Sequence, residues 1–408
     1  MSTKLPDKGR AWPDLEAAMR AAAAGDAKWR DGRTAIYVFN AGEEVERVQK
    51  AAYALFSAEN GLGPAAFPSL AQMERDVVGF GLGLLNAPVG ADCAMTSGGT
   101  DSILMAMKTA RDYARARGLQ GGANIVIPMS AHPAFDKAAM LMDIEVRRIA
   151  LKDYLADPAA MEAAMDGATI MLAGSAPCFP FGLIDPIAAL GEVAERRRAW
   201  LHVDACVGGY LAPFARMNGA KLPAFDFSVS GVASMSADLH KYGYAAKGAS
   251  TVFFRSKALA EHMPFNAGPW PLGRMVTPTL AGTRPGGAIA AAWAVMNFLG
   301  VEGYRAKQAA VVAAREKIEA GVHRLGFTLL GAPQLGLIAF THPNINAFTL
   351  FGRMHARGWH TAALVDPPAL HLMLSPKHFD VADQYLADLE ASLNEDGAAS
   401  ATAGGYAR

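Results

Sequence analysis

Two rhythms of apolar residues alternate along the chain. Over 11–24, 43–58 and 70–86 they recur at helical spacing among Ala, Glu and Leu, predicting three helices. Between the first two, Ile36-Tyr37-Val38-Phe39 reads as a short extended piece. Beyond residue 90 short apolar runs of strand length take turns with helical stretches. A strand closes at Ala94-Met95, Thr96-Ser97-Gly98-Gly99-Thr100 is a turn, and 101–117 is a helix. Asn124 to Met129 is an apolar strand, and Ser130-Ala131-His132-Pro133 opens the next helix. Further strands are predicted at 146–150, 169–173, 200–204, 227–232 and 250–254, with a helix within 183–198. Strands alternating with helices predict an α/β domain with a largely parallel sheet. After Pro285-Gly286-Gly287 an Ala-rich helix runs to about Phe298, and a domain boundary is expected inside it. Helices 303–325, 346–357 and 379–394, with strands near 327–330, 336–341 and 370–374, predict a small C-terminal α+β domain. The expected division is an N-terminal helical segment 1–58, a large domain 59–292 and a small domain 293–408.

Composition narrows the function classes. The 408 residues are 52% hydrophobic and 19% charged, an ordinary globular balance. Basic and acidic residues number 38 each, so no net field favours nucleic acid or an anionic membrane. Cys93, Cys178 and Cys206 are scattered without metal-ligand spacing. They predict no disulfide framework and no metal site, and suit a reducing compartment such as the cytoplasm. The start, Met1 to Pro6, lacks the apolar core of a signal peptide. The most apolar run, Ala288 to Val301, is too short to span a bilayer. The tail from Gly397 to Arg408 is Ala/Gly/Ser-rich and expected to fray.

Candidate chemistry gathers at four places. Ser236-Ala237-Asp238-Leu239-His240-Lys241-Tyr242-Gly243 puts one lysine at a turn in a stretch of little other charge. An amine that is desolvated, or held near other positive charge, loses its proton near neutral pH and attacks carbonyls. The carbonyl cofactor that uses this chemistry is pyridoxal phosphate. Most lysines are solvated surface residues, so the upstream sites matter. Thr96-Ser97-Gly98-Gly99-Thr100 opens a helix: two glycines admit a ligand, and helix N–H groups favour an anion. A glycine-rich turn with Thr100 as helix cap would look the same. It is neither a P-loop nor a dinucleotide fingerprint. His132 follows a strand end, where α/β sheets bind ligands, and an imidazole there can stack on a flat ring. The alternative is a helix-start histidine bonded to a loop. Asp204 ends the strand Leu201-His202-Val203-Asp204, where a carboxylate needs a cationic partner. A pyridinium nitrogen would serve, as would an arginine or backbone N–H groups.

The order of these motifs resembles a known family. Thr96 to Leu104, His202-Val203-Asp204-Ala205-Cys206-Val207-Gly208-Gly209 and Ser236 to Gly248 look like the group II pyridoxal-phosphate-dependent decarboxylases. They are most similar to the sphingosine-1-phosphate lyase branch, as are Phe67-Pro68-Ser69 and Thr279-Leu280-Ala281-Gly282-Thr283-Arg284-Pro285-Gly286. The resemblance covers roughly residues 60–300. It implies fold type I, a PLP-dependent transferase-like architecture in which a mostly parallel sheet is joined to a small C-terminal domain. It also implies a homodimer with active sites at the interface. It implies Lys241 as the covalent anchor of pyridoxal 5'-phosphate, Asp204 on the pyridine nitrogen and His132 on the ring. Ser97, Gly98, Gly99, Thr100 and His240 would surround the cofactor phosphate, with Gly282 and Thr283 reaching it from the partner subunit. Lys247, six residues past the anchor, would contact a substrate phosphate, and two alanines and a glycine leave it few neighbours to bind. Asn60 and Tyr37 would lie near the substrate.

The chain departs from the pattern where substrate is read. Asn60-Gly61-Leu62-Gly63-Pro64-Ala65-Ala66 lacks a histidine and an acid, and the segment ending in a tyrosine is reduced to Thr34-Ala35-Ile36-Tyr37. Set beside the eukaryotic lyases, the chain is also expected to lack their N-terminal membrane helix. The leading expectation is a lyase that cleaves a phosphorylated amino alcohol to an aldehyde and a phosphoamine. The alternative is an L-amino-acid decarboxylase on the same scaffold. A non-catalytic scaffold is a third reading, and Lys241, Asp204 and His132 together argue against it.

Overall fold

The computed structural model describes residues 4–395, so the tail expected to fray lies outside the described residues. Helices α1 (Trp12–Ala22), α2 (Glu43–Leu55) and α3 (Pro68–Leu84) lead in. No residue of α1 is buried. The expected extended piece at 36–39 is instead a bend. Tyr37 takes φ 64°, and the Val38 N–H closes on the Ile36 carbonyl at 2.7 Å.

The large sheet holds β1 (Asp92–Thr96), β2 (Ala123–Pro128), β3 (Ile144–Ile149), β4 (Thr169–Ser175), β5 (Trp200–Asp204), β6 (Val232–Ala237) and β7 (Ser250–Phe254). Its order is β1-β7-β6-β5-β4-β2-β3. Neighbours from β6 to β3 are parallel, and only β7 runs antiparallel to both of its neighbours. Helices α4 (Gly99–Ala116), α5 (Ala134–Met142), α6 (Pro158–Ala163), α7 (Ile187–Arg197), α8 (Ala212–Met217) and α9 (Lys257–Ala260) supply the crossovers and flanks.

Alternation along each strand builds a core on both faces. Ile125, Ile127, Met171 and Ala173 pack with Ile103 and Met107 of α4 and Phe135 of α5. Val126, Leu172, Leu201 and Val203, one residue out of step, pack with Ile187 and Leu190 of α7 and with Val295 of a later helix. Strand β6 lies five residues past the predicted 227–232. Its sequence, Val-Ala-Ser-Met-Ser-Ala, carries little β-propensity, whereas Phe227 and Val229 look like strand and are buried in turns.

A two-stranded hairpin that the apolar pattern did not indicate follows, β8 (Phe265–Asn266) and β9 (Val276–Thr277). Helix α10 (Gly286–Arg324) then carries the chain onward, broken only at Gly300, whose φ is 54°. The two helices predicted either side of residue 300 meet at this break. The C-terminal part is a four-stranded antiparallel sheet, β10 (Thr328–Leu329), β11 (Leu337–Thr341), β12 (Ala362–Val365) and β13 (Pro368–Met373), ordered β10-β11-β13-β12. Helices α11 (Ala347–Ala356) and α12 (His378–Leu393) cover it with the end of α10.

Candidate active site

The parallel strands point their carboxyl ends at one cavity of about 430 Å³. Strand β1 delivers Ser97, Gly98 and Gly99. After β2 comes His132, at the end of β5 is Asp204, and just past β6 are Asp238, His240 and Lys241. Tyr37, Thr100 and Lys247 also line it. Asn60 does not. It bridges Pro285 and accepts the Leu62 N–H at 3.0 Å through its side chain. Gly282 and Thr283 are likewise outside this cavity, on the exposed run before α10.

Helix α4 begins at an N-cap glycine, Gly98, with no side-chain cap. Thr100 is therefore not the cap, and the first N–H groups of the helix are left for an anion. The Ser97 N–H and hydroxyl instead go to Asp101 Oδ2, at 2.9 and 3.0 Å, which fixes the turn. A Cβ on Gly98 would have His240 Cε1 as its nearest neighbour, at 3.6 Å, and would take up cavity space. A Cβ on Gly99 would come within 2.8 Å of Cys206 Sγ and 2.9 Å of Asp238 Oδ2.

Asp204 is 8% exposed, and its Oδ1 accepts from the Cys206 N–H at 3.0 Å and the Ser236 hydroxyl at 3.3 Å. No hydrogen bond from the described residues reaches Oδ2. His132 Nδ1 accepts the Ala134 N–H at 3.1 Å, so the single proton of the neutral ring sits on Nε2. Burial lowers its pKa, outweighing the pull of Asp204. Burial likewise lowers that of His240, whose Nδ1 is buried with no hydrogen-bond partner.

Lys241 departs from expectation. Its Nζ lies 2.9 Å from Asp238 Oδ2, a carboxylate only 2% exposed. Burial opposes the ammonium, but Asp238, with Cys206 and Asp204 behind it, raises the pKa above the ordinary lysine value. Lys247 is not short of partners either. Its Nζ donates to the Tyr37 carbonyl at 2.9 Å and the His240 carbonyl at 3.3 Å. It keeps accessible surface where it lines the cavity, yet enclosure by the walls and then Lys241 bring its pKa down to about 8. Sequence reasoning assigned no role to Asp238. Its place three residues before Lys241, at a strand end, was the available signal.

These groups fit pyridoxal phosphate by donor chemistry. An uncapped helix start and an unpartnered imidazole nitrogen suit a phosphate, a carboxylate with a spare oxygen suits a pyridinium, and a lysine suits an aldehyde. A mostly parallel sheet covered on both faces, with such a cavity at its carboxyl ends, is the architecture of fold type I pyridoxal-phosphate enzymes.

The comparisons with known proteins agree. Residues 3–342 match the pyridoxal-dependent decarboxylase conserved domain, and the chain belongs to that family. It is 41% identical to a sphingosine-1-phosphate lyase of Oryza sativa subsp. japonica, over 90% of this chain and 70% of that protein. A sphingosine-1-phosphate lyase of Dictyostelium discoideum is 39% identical, over 95% of this chain and 74% of that protein. The solved sphingosine-1-phosphate lyase of Burkholderia pseudomallei K96243 superposes with a TM-score of 0.92 at 34% identity, covering 96% of this chain and 93% of that one. The protein is thus a pyridoxal-phosphate-dependent lyase.

Proposed function

We propose that the chain cleaves the carbon–carbon bond of a phosphorylated amino alcohol, releasing an aldehyde and a phosphoamine. The observation that carries this reading is the convergence of Lys241, Asp204, His132, His240 and Lys247 on one cavity. When bound, pyridoxal phosphate supplies an electron sink that accepts the pair of the broken Cα–Cβ bond. In this reading Lys241 would anchor the cofactor, and Asp204 would keep the ring nitrogen protonated through Oδ2, which no hydrogen bond from the described residues reaches. His132 would lie against the ring, with the proton on its Nε2 left to donate. His240, the Gly98-Gly99 backbone, Ser97 and Thr100 surround the cofactor phosphate. Lys241, freed by the substrate amine, and His132 would be the candidates to carry the proton from the β-hydroxyl or to Cα. Lys247 holds the substrate phosphate by exchanging its two carbonyl partners for charged oxygens. Tyr37, whose carbonyl it leaves, borders the same phosphate. Asn60 belongs near substrate only if it is contributed from outside this chain's own cavity.

We also propose a homodimer with shared active sites. Gly282 and Thr283 lie on a segment that exposes Phe265, Trp270, Leu272, Val276 and Leu280, an apolar surface that a second copy would cover. No helix among the described residues is long and apolar enough to cross a membrane. Cys93, Cys178 and Cys206 are unpaired, which supports assignment to the reducing cytoplasm.

The second reading, α-decarboxylation of an amino acid, is favoured by one observation: the Lys247 ammonium is already held by two carbonyls rather than waiting for a phosphate. Product analysis separates the two. Incubation with a phosphorylated sphingoid base is expected to release a long-chain aldehyde, whereas CO2 from an amino acid with no aldehyde would overturn the lyase assignment.

A further inference from the structure

The Asp238–Lys241 contact closes a buried network. Thr96 Oγ1 lies 2.5 Å from Ser102 Oγ, which lies 2.9 Å from Ser250 Oγ, and Ser250 donates to Asp238 Oδ1 at 2.5 Å. All four residues are at most 3% exposed. The chain of hydroxyls ties β1, α4 and β7 to the end of β6, so the carboxylate cannot turn away from Lys241 without breaking a buried hydrogen bond. Asp238 Oδ2 faces Lys241 at 2.9 Å and His240 Nε2 at 3.6 Å. The other charged or titratable groups around Lys241 are Asp204 at the end of β5, Cys206 just after it, His132 before α5, and Lys247 on its own loop. Asp238 is the one carboxylate of this set in contact with the amine.

We propose that Asp238 is a positioning residue for Lys241: it clasps the ammonium whenever the lysine is not bonded to cofactor, and so sets the pH at which cofactor is taken up. A protonated amine has no lone pair with which to attack an aldehyde. Covalent capture joins Nζ to the aldehyde carbon with loss of water, and the ammonium must first give up a proton. A carboxylate fixed at 2.9 Å makes that release harder. The same carboxylate would face Lys241 each time a substrate amine displaces it, and would favour its charged form once the freed amine has taken up a proton. Without the Asp238 charge, burial would still oppose the ammonium, with only Cys206 and Asp204 left to favour it.

The inference rests on Lys241 as the anchor, and the experiment tests the two separately. Cofactor is stripped from the protein, saturating pyridoxal phosphate is added back, and covalent capture is timed by absorbance between about pH 6 and pH 10. Borohydride reduction and peptide mapping then locate the attached group. In the parent, the capture rate is expected to climb across the whole range. In Asp238→Asn the rise is expected at least about one pH unit lower, giving roughly tenfold faster capture at neutral pH. An unmoved profile, with the label on Lys241, overturns the clasp and leaves the anchor intact. A label on another lysine overturns both. Should Asp238→Asn fail to fold, Lys241 in the stripped parent is labelled with an amine-selective reagent and followed against pH by mass spectrometry. Reactivity that emerges only above the ordinary lysine range supports the clasp, and reactivity at or below that range overturns it.

Discussion

Lys247 is the residue at which the two activities part. Among the described residues, its ammonium is the only lysine or arginine charge on the cavity wall besides Lys241, and its pKa of about 8 lies within the working range of an enzyme. The sign is that of a cation: charge is full well below pH 8 and is lost as pH rises through it. A phosphate held there should bind more weakly above that pH. For a phosphorylated amino alcohol, KM is expected to rise from pH 7 to pH 9 in the parent. In Lys247→Ala it should already be high, by roughly one to two decades, and should lack that rise. The cofactor absorbance should be unchanged, because the phosphate cradle has other donors. Robust turnover of an unphosphorylated amino acid that ignores Lys247 would move the assignment to decarboxylation. Asp204 has a complementary test. Asp204→Asn keeps the shape but loses the charge that holds a ring proton, so most turnover should vanish while borohydride still fixes cofactor to Lys241. Near-parental turnover would make Asp204 structural.

Among the elements, the start of α4 is the one whose glycines border the cavity. The two glycines differ in what a methyl group would meet. At Gly99 it would press on Cys206 and on the Asp238 carboxylate at 2.8–3.0 Å, so Gly99→Ala should cost about 1–3 kcal/mol of stability, read as a lower urea midpoint. At Gly98 its nearest protein neighbour is 3.6 Å away, so Gly98→Ala should fold like the parent yet titrate pyridoxal phosphate far more weakly. Equal behaviour of the two variants would remove the cradle from the α4 turn. The turn itself was legible in the sequence because Gly-Gly between an apolar strand and a helix has few other uses. Strands β2, β4, β5 and β7 were legible as short, mostly apolar runs of strand length. Strand β6 was not, because Ser234 and Ser236 face buried partners, His202 and Asp204, that only the folded sheet brings near. The clasp on Lys241 was hidden in the same way. Its network joins residues 96, 102, 238 and 250, distant in sequence and united by the sheet order β1-β7-β6.

At the scale of the whole molecule, a single chain assembles most of the cavity but leaves Gly282, Thr283 and Asn60 outside it. The segment that carries the first two is rich in exposed apolar side chains, and α1, with Trp12 and Met19 well exposed, buries nothing on its own chain. The homodimer proposed above would set a symmetric second copy against such surfaces. If Thr283 serves the other subunit's site, two inactive variants should rescue each other. In a hybrid of Lys241→Ala with a bulky substitution at Thr283, one site carries both defects and the other carries neither. Random pairing makes half of the dimers hybrids, so the mixture should recover roughly a quarter of parental activity. Variants that act only within their own chain cannot do this, since every site would then hold one defect. The measurement is activity after co-expression of two differently tagged chains, and hybrids purified through both tags should show roughly half of parental activity. Dead hybrids of confirmed mass would confine each active site to a single chain.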